Sequence, residues 1–229
     1  MSTRKRVVKT ADGCRFLAVA GNIGAGKSTL VHFIEQRFGV KPFFEPNDRN
    51  PFLKDFYRDM KRWAFPSQMH FLALRLAHHQ RLLREPGVVI QDRTIYEDAE
   101  IFATNLYRSR IMTKREFETY RAMYEGIMGQ LPPPDLLIYL RCSVRTARRR
   151  IRERGRPEER EIPYRYVRRI HDLYEDWFSA WDRSPTLVIE SDKMDYIHDL
   201  MYRADLLQII ANALALDPND KVFGSNRSS

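Results

Sequence analysis

The sequence predicts an α/β domain in which a five-stranded parallel sheet is flanked on both faces by helices. Three observations carry that expectation: five short apolar runs, helical patterns between them, and a glycine-rich loop joining the first run to the first helix. Apolar runs without polar alternation read as strands buried on both faces, and strands alternating with helices imply βαβ units.

The first run covers 15–20 and leads into Gly21-Asn22-Ile23-Gly24-Ala25-Gly26-Lys27-Ser28, with a helix pattern over 27–38. The second run, 40–45, ends at Glu45-Pro46. A long helix over about 64–84 sets Met69, Leu72, Ala73, Leu76, Ala77 and Leu83 at spacings that make one apolar stripe for core packing. The third run, 87–91, passes into Asp92-Arg93, and helices follow over 96–107 and 113–128. Pro132-Pro133-Pro134 forbids further helix and marks the start of the fourth run, 135–140. Helices over 144–153 and 163–181, a fifth run over 185–190 and a last helix over 194–215 complete the alternation.

A chain of 229 residues, 43% hydrophobic, can bury roughly 70% of its extended surface in a single domain. The expected organisation is a basic tail over 1–14, one domain over 15–216 and a polar tail over 217–229. The net charge of +9 suits a nucleic-acid partner or a protein that holds triphosphates, and charge alone does not choose. Cys14 and Cys142 stand apart from any metal or redox spacing, which fits a reducing, cytoplasmic setting. No apolar run approaches the roughly 20 residues that span a bilayer. Arg4, Lys5, Arg6 and Lys9 read as a solvated tail in preference to an organelle-targeting segment.

The glycine loop carries the strongest chemistry. Its glycines, with Asn22, Ile23 and Ala25 between them, let backbone amides converge on an anion. Lys27 can reach the β and γ phosphates, and Ser28, followed by Thr29, offers a hydroxyl to Mg2+. At the C-terminal edge of the sheet, Asp92 could hold magnesium and Arg93 could stabilise charge on a transferred phosphoryl group. Glu45 falls on the same edge, where a carboxylate could accept a proton from an attacking hydroxyl. The arginines at 145, 148, 149, 150, 152, 154 and 156 fit a solvated helix face, a nucleic-acid patch or a lid closing over a triphosphate. Interleaved Glu153, Glu158, Glu159 and Glu161 favour the lid, over about 150–162.

These motifs, in order, resemble the deoxyribonucleoside kinases, in particular the bacterial deoxyadenosine and deoxyguanosine kinases and the related deoxycytidine kinases. The resemblance rests on residues 21–29, Glu45-Pro46, Lys61-Arg62-Trp63-Ala64-Phe65 leading to Gln68, Asp92 to Asp98 with Ile101-Phe102-Ala103, and 150–159 followed by Ile162-Pro163. It implies a three-layer P-loop kinase fold, commonly dimeric through long helices, and transfer of a γ phosphate from ATP-Mg2+ to the 5′-hydroxyl of a deoxynucleoside. It further implies that Glu45 takes the hydroxyl proton and that Arg93 and Lys27 stabilise the transferring group. Asp92, where many members carry glutamate, is assigned to magnesium, with the proton-acceptor role as the alternative. Tyr57 and Glu159 are implied for the sugar 3′-hydroxyl, Gln68 for the base edge and Phe102 for stacking. Arg150, Arg154 and Arg156 are implied for the phosphates, and Lys193, Met194 and Asp195 for the loop over the donor adenine. Arg75 and Asp98 are what the resemblance associates with purine deoxynucleosides or deoxycytidine over thymidine, with deoxyadenosine as first choice.

Two other readings stay open at this level. A thymidylate-kinase-like nucleoside monophosphate kinase shares the loop, the Asp-Arg and the lid, but would want cations near the second strand, where Phe43-Phe44 stand. A nucleic-acid-binding P-loop protein would use the arginines without turnover. The expected partners are therefore a deoxynucleoside and a nucleoside triphosphate, with no membrane and no nucleic acid, in a homodimer.

Overall fold

The computed structural model describes residues 16–44, 50–156, 159, 162–193 and 200–214. Five strands form one sheet in the order β2-β3-β1-β4-β5, and every pairing is parallel. β1 (Phe16–Gly21) lies at the centre and is buried along its whole length, which is why its FLAVAG sequence carries no polar side chain. β2 (Lys41–Phe43) and β3 (Val89–Asp92) lie to one side of it. β4 (Leu136–Arg141) and β5 (Thr186–Glu190) lie to the other. Parallel strands without hairpins put all five C-terminal ends on one edge, where open α/β sheets bind ligands.

The helices are α1 (Lys27–Phe38), α2 (Leu53–Arg58), α3 (Met60–Leu82), α4 (Ile95–Glu97), α5 (Thr104–Arg108), α6 (Lys114–Met128), α7 (Val144–Arg154), α8 (Tyr164–Ser179) and α9 (Leu200–Leu214). A π-helical turn, Asp98–Ala103, runs between α4 and α5. α2 has no counterpart among the expected elements; six residues with one buried side chain, Phe56, are too few to show a period.

The apolar stripe expected on α3 is buried along only one edge, where Met69 and Leu76 pack half-buried against the core beside Leu72. Leu72 is buried, but Ala73, Ala77 and Leu83 are exposed. The inward face instead carries Ala64, Ser67, Gln68, Leu72, Arg75, His79 and Leu82. α3 starts at Met60, ahead of the expected position, because Asp59 accepts from the Arg62 amide and caps it.

Two glycines are fixed by geometry. Gly21 has φ 153°, and a Cβ there would stand 2.8 Å from the Leu140 carbonyl. Gly24 has φ 80°, and a Cβ would stand 2.5 Å from the Ala147 carbonyl on α7. The end of β1 therefore fits beside β4, and the loop under α7, only without side chains at these points.

Candidate active site

The loop is anchored by its own polar groups. Lys27 Nζ donates to the carbonyls of Gly21 (2.9 Å) and Asn22 (3.1 Å). Asn22 donates through Nδ2 to the Val167 carbonyl on α8, and its Oδ1 accepts from the Ile23 amide. Behind the loop, Ser28 Oγ donates to Asp92 Oδ2 at 2.5 Å. Asp92 Oδ1 is buried and makes no hydrogen bond among the described residues. A hydroxyl and an unsatisfied carboxylate oxygen at the head of a phosphate loop are the donor set a hard divalent cation takes.

Arg93 follows at φ 64°, in the left-handed region, where its amide donates to the Val19 carbonyl at 3.0 Å. Its guanidinium lies 4.3 Å from the centre of the Phe102 ring. Thr94 leaves this turn in an extended conformation and caps α4 through a reciprocal box with Glu97. Glu97 is completely buried; burial pushes its carboxyl up, opposed by the Arg93 and Lys27 charges and by hydrogen bonds from Thr94 and Tyr174.

Helix α3 and the π turn supply the next wall. Arg75 Nε donates to Asp98 Oδ2 at 3.0 Å. Arg75 Nη1 reaches the carbonyls of Asp92 and Arg93 at 3.4 and 3.5 Å, which ties the interior of α3 to the β3 turn. Gln68 is buried on the same helix, and its Oε1 makes no hydrogen bond among the described residues.

Arg150 and Arg154 of α7 and Arg156 just after it divide by partner. Arg150 Nη1 donates to the Ala25 carbonyl and to Ser191 Oγ, both at 3.0 Å, and its Nη2 donates to the Ser191 carbonyl at 2.7 Å. It is a staple between α7, the phosphate loop and the turn after β5. Arg154 donates from Nη2 to Glu159 Oε2 at 2.6 Å, and Arg156 Nη1 lies 3.6 Å from Glu159 Oε1.

One cavity of about 400 Å3 joins these parts. Ile23, Gly24, Gly26, Lys27, Ser28, Thr29, Tyr57, Gln68, Asp92, Arg93, Asp98, Phe102, Arg154, Arg156 and Glu159, all expected from the sequence, line it. Gly21, Asn22, Ala25, Arg75 and Arg150 lie behind that lining. Glu45, Met194, Asp195 and the side chain of Lys193 lie outside the described residues. His32, Phe71 and Tyr166 also line the cavity and were not expected. Tyr166 sits on the buried stripe of α8 and reads as core from sequence. Glu97 was passed over as well, although Thr94-Ile95-Tyr96-Glu97 has the capping-box spacing.

Comparison with known proteins gives a consistent result. The family model described as deoxynucleoside kinase matches residues 17–215. A deoxyadenosine/deoxycytidine kinase of Bacillus subtilis is 34% identical over 200 residues, covering 86% of this chain and 92% of that protein. A deoxyguanosine kinase of Lactobacillus acidophilus is 36% identical over 208 residues, covering 86% and 90%. Among solved structures, deoxyadenosine kinase from M. mycoides with bound dCTP superposes with a TM-score of 0.74 at 30% identity, covering 86% of this chain and 99% of that one.

Proposed function

The chain belongs to the deoxynucleoside kinase family, and from that premise we propose how its cavity selects and phosphorylates a substrate. It is an enzyme of the P-loop kinase fold that transfers the γ phosphate of ATP to the 5′-hydroxyl of a deoxyribonucleoside. The observation that carries the detailed reading is that one cavity is lined both by cations and by neutral-ligand handles. Lys27, Arg93, Arg154 and Arg156 supply its cations and are read as the phosphate end, while Tyr57, Gln68, Asp98 and Phe102, offering hydrogen bonds and an aromatic face, are read as the nucleoside end, with Glu159 at the junction as the partner of Arg154 and Arg156.

At the cationic end, the loop amides and Lys27 bind the triphosphate, and Arg154 and Arg156 close on it from the lid. Ser28 and Asp92 are the residues that would hold Mg2+, which when bound neutralises phosphate charge; the unsatisfied Asp92 oxygen beside the Ser28 hydroxyl fits that cation. Arg93, fixed over Phe102, stabilises the transferring phosphoryl group. Glu45 receives the proton of the 5′-hydroxyl. Phe44, the residue before it, lines the cavity.

At the other end, Tyr57 and Glu159 hold the sugar 3′-hydroxyl. Gln68 pairs with the base edge, its free Oε1 leaving an acceptor for a base amino group. The Arg75–Asp98 pair favours purine deoxynucleosides or deoxycytidine over thymidine, with deoxyadenosine first. Lys193, Met194 and Asp195 fall to the donor adenine.

The active form is a homodimer working in the cytoplasm. Support for the dimer comes from exposed Ala73, Ala77 and Leu83 on α3 and the shallow groove that Leu76 and Leu83 share with Ile127 and Leu131. No described helix is long and apolar enough to cross a membrane.

The test is a phosphorylation assay of the four deoxynucleosides, each with ATP and with GTP, in the presence of Mg2+. Turnover of deoxyadenosine, deoxyguanosine or deoxycytidine above thymidine is expected. Turnover of a deoxynucleoside monophosphate and of no deoxynucleoside would overturn the reading.

A further inference from the structure

We propose that Glu97 is a positioning residue for phosphoryl transfer, clamping the strand end that opens the phosphate loop to the turn that carries Asp92 and Arg93. The inference rests on the kinase reading above.

A capping box needs only local bonds, and Glu97 makes those: its Oε2 accepts from the Thr94 amide at 2.6 Å and from Thr94 Oγ1 at 3.0 Å. Its other oxygen goes further afield. Oε1 accepts from the Tyr174 hydroxyl at 2.7 Å and from the Gly21 amide at 3.4 Å, from segments 77 and 76 residues away. One carboxylate therefore joins the end of β1, the turn after β3 and the inner face of α8. It lies behind the cavity lining and touches neither end of the ligand space.

What the clamp holds is a strained turn. An arginine in the left-handed region costs of order 1–2 kcal/mol and persists only where the surroundings over-determine it. The Arg93 amide is fixed on Val19 of β1, and the next amide, Thr94, is fixed on Glu97. Gly21 is bonded at once to Lys27 through its carbonyl and to Glu97 through its amide. The carboxylate also faces the Lys27 and Arg93 cations, so it opposes their mutual repulsion across the head of the loop. Small displacements of groups that act only in the transition state cost turnover before they cost affinity.

Glu97→Gln keeps the volume, but an amide cannot accept on both sides, so it breaks the Thr94 bonds or those to Tyr174 and Gly21. The expected result is a folded protein whose kcat falls about tenfold or more, while KM for ATP and for the deoxynucleoside each stay within about threefold. Tyr174→Phe, which removes one of the four donors, should lower kcat by a smaller factor, again without a change in KM. A folded Glu97→Gln protein with kcat within twofold of the parent, or with the change confined to KM, overturns the proposal. Should Glu97→Gln fail to fold, an unchanged kcat in Tyr174→Phe overturns it equally. The parent protein in the same assay separates the two readings: its failure to phosphorylate any deoxynucleoside would count against the kinase reading, not against Glu97.

Discussion

Arg75 Nε and Asp98 Oδ2 meet at 3.0 Å with side chains 1% and 5% exposed, so the cavity wall that Asp98 lines is held by a desolvated ion pair. Such a pair gains little over an apolar replacement, but removing one partner leaves a buried charge and typically costs about 3–5 kcal/mol. Asp98→Ala should therefore lower stability by that order, and Arg75→Met with Asp98→Ala should recover much of it. Asp98→Ala takes a polar handle from the cavity lining and Arg75→Met removes the group that orients it; if that wall faces the base, the ratio of kcat/KM for deoxyadenosine to that for thymidine should fall about tenfold or more. Denaturant melts and the two-substrate kinetics check the two halves separately; an unchanged ratio would remove the pair from specificity.

Glu159 carries two arginines, Arg154 and Arg156, on one carboxylate. If the same carboxylate takes the sugar 3′-hydroxyl, acceptor binding competes with the arginines for it and sends them toward the phosphates. Glu159→Gln should lower kcat/KM for the deoxynucleoside by about tenfold to a hundredfold, because a charged hydrogen bond to a hydroxyl is worth about 1.5–3 kcal/mol. KM for ATP should move much less. A 3′-deoxy analogue should discriminate poorly between parent and variant, which kinetics with that analogue would read directly.

The parts of this fold that announce themselves in sequence are those whose chemistry is local. The glycine loop and α1 are legible because Gly24, Gly26 and Gly39 all adopt positive φ, so residue type and backbone agree, and the helix bounds fall where expected. β1 and β4 are legible because burial on both faces leaves a hydrophobic run, interrupted only by half-buried Arg141 at the end of β4. The inner face of α3 is not, since Gln68, Arg75 and His79 look like surface residues until the sheet edge and the π turn give them partners. The π turn likewise has no residue signature, yet it sets Asp98 and Phe102 on one cavity wall. Arg150 shows the same limit from the other direction. Its arginine-rich neighbours suggest phosphate contact, and its bonds to carbonyls of the fold add a stapling role that sequence does not show.

Arg150→Ala follows from that geometry. Three donor bonds from one planar group hold Ala25 of the phosphate loop and Ser191 of the turn after β5, and Ser191 Oγ itself donates to Ala25 at 2.9 Å. Losing the fork should loosen the donor half of the cavity, raising KM for ATP about tenfold while KM for the deoxynucleoside stays within about twofold. Lysine should not rescue it, because an ammonium cannot present the two forked donors. Steady-state kinetics with each substrate varied in turn decides the matter; a change falling on the acceptor instead would refute the staple.

His79 gives the protein an acid limit. Its imidazole is buried on α3, edge-on to Phe16 at 5.2 Å between ring centres. Desolvation holds its pKa down at about 4, against a weak opposing pull from the Pro132 carbonyl. The unfolded chain takes up this proton near pH 6.5, whereas the folded protein does not until about pH 4. The unfolded state therefore binds more protons throughout that window, and stability falls as pH falls from 6.5 toward 4. Over the whole window the loss is about 3 kcal/mol, which for a domain of this size lowers Tm by roughly 10 °C. His79→Leu keeps an apolar group against Phe16 and removes the titration. Its denaturation midpoint should therefore decline less between pH 7 and pH 4.5 than that of the parent. Equal declines in the two proteins would assign the acid sensitivity to the carboxylates and leave His79 without a part in it.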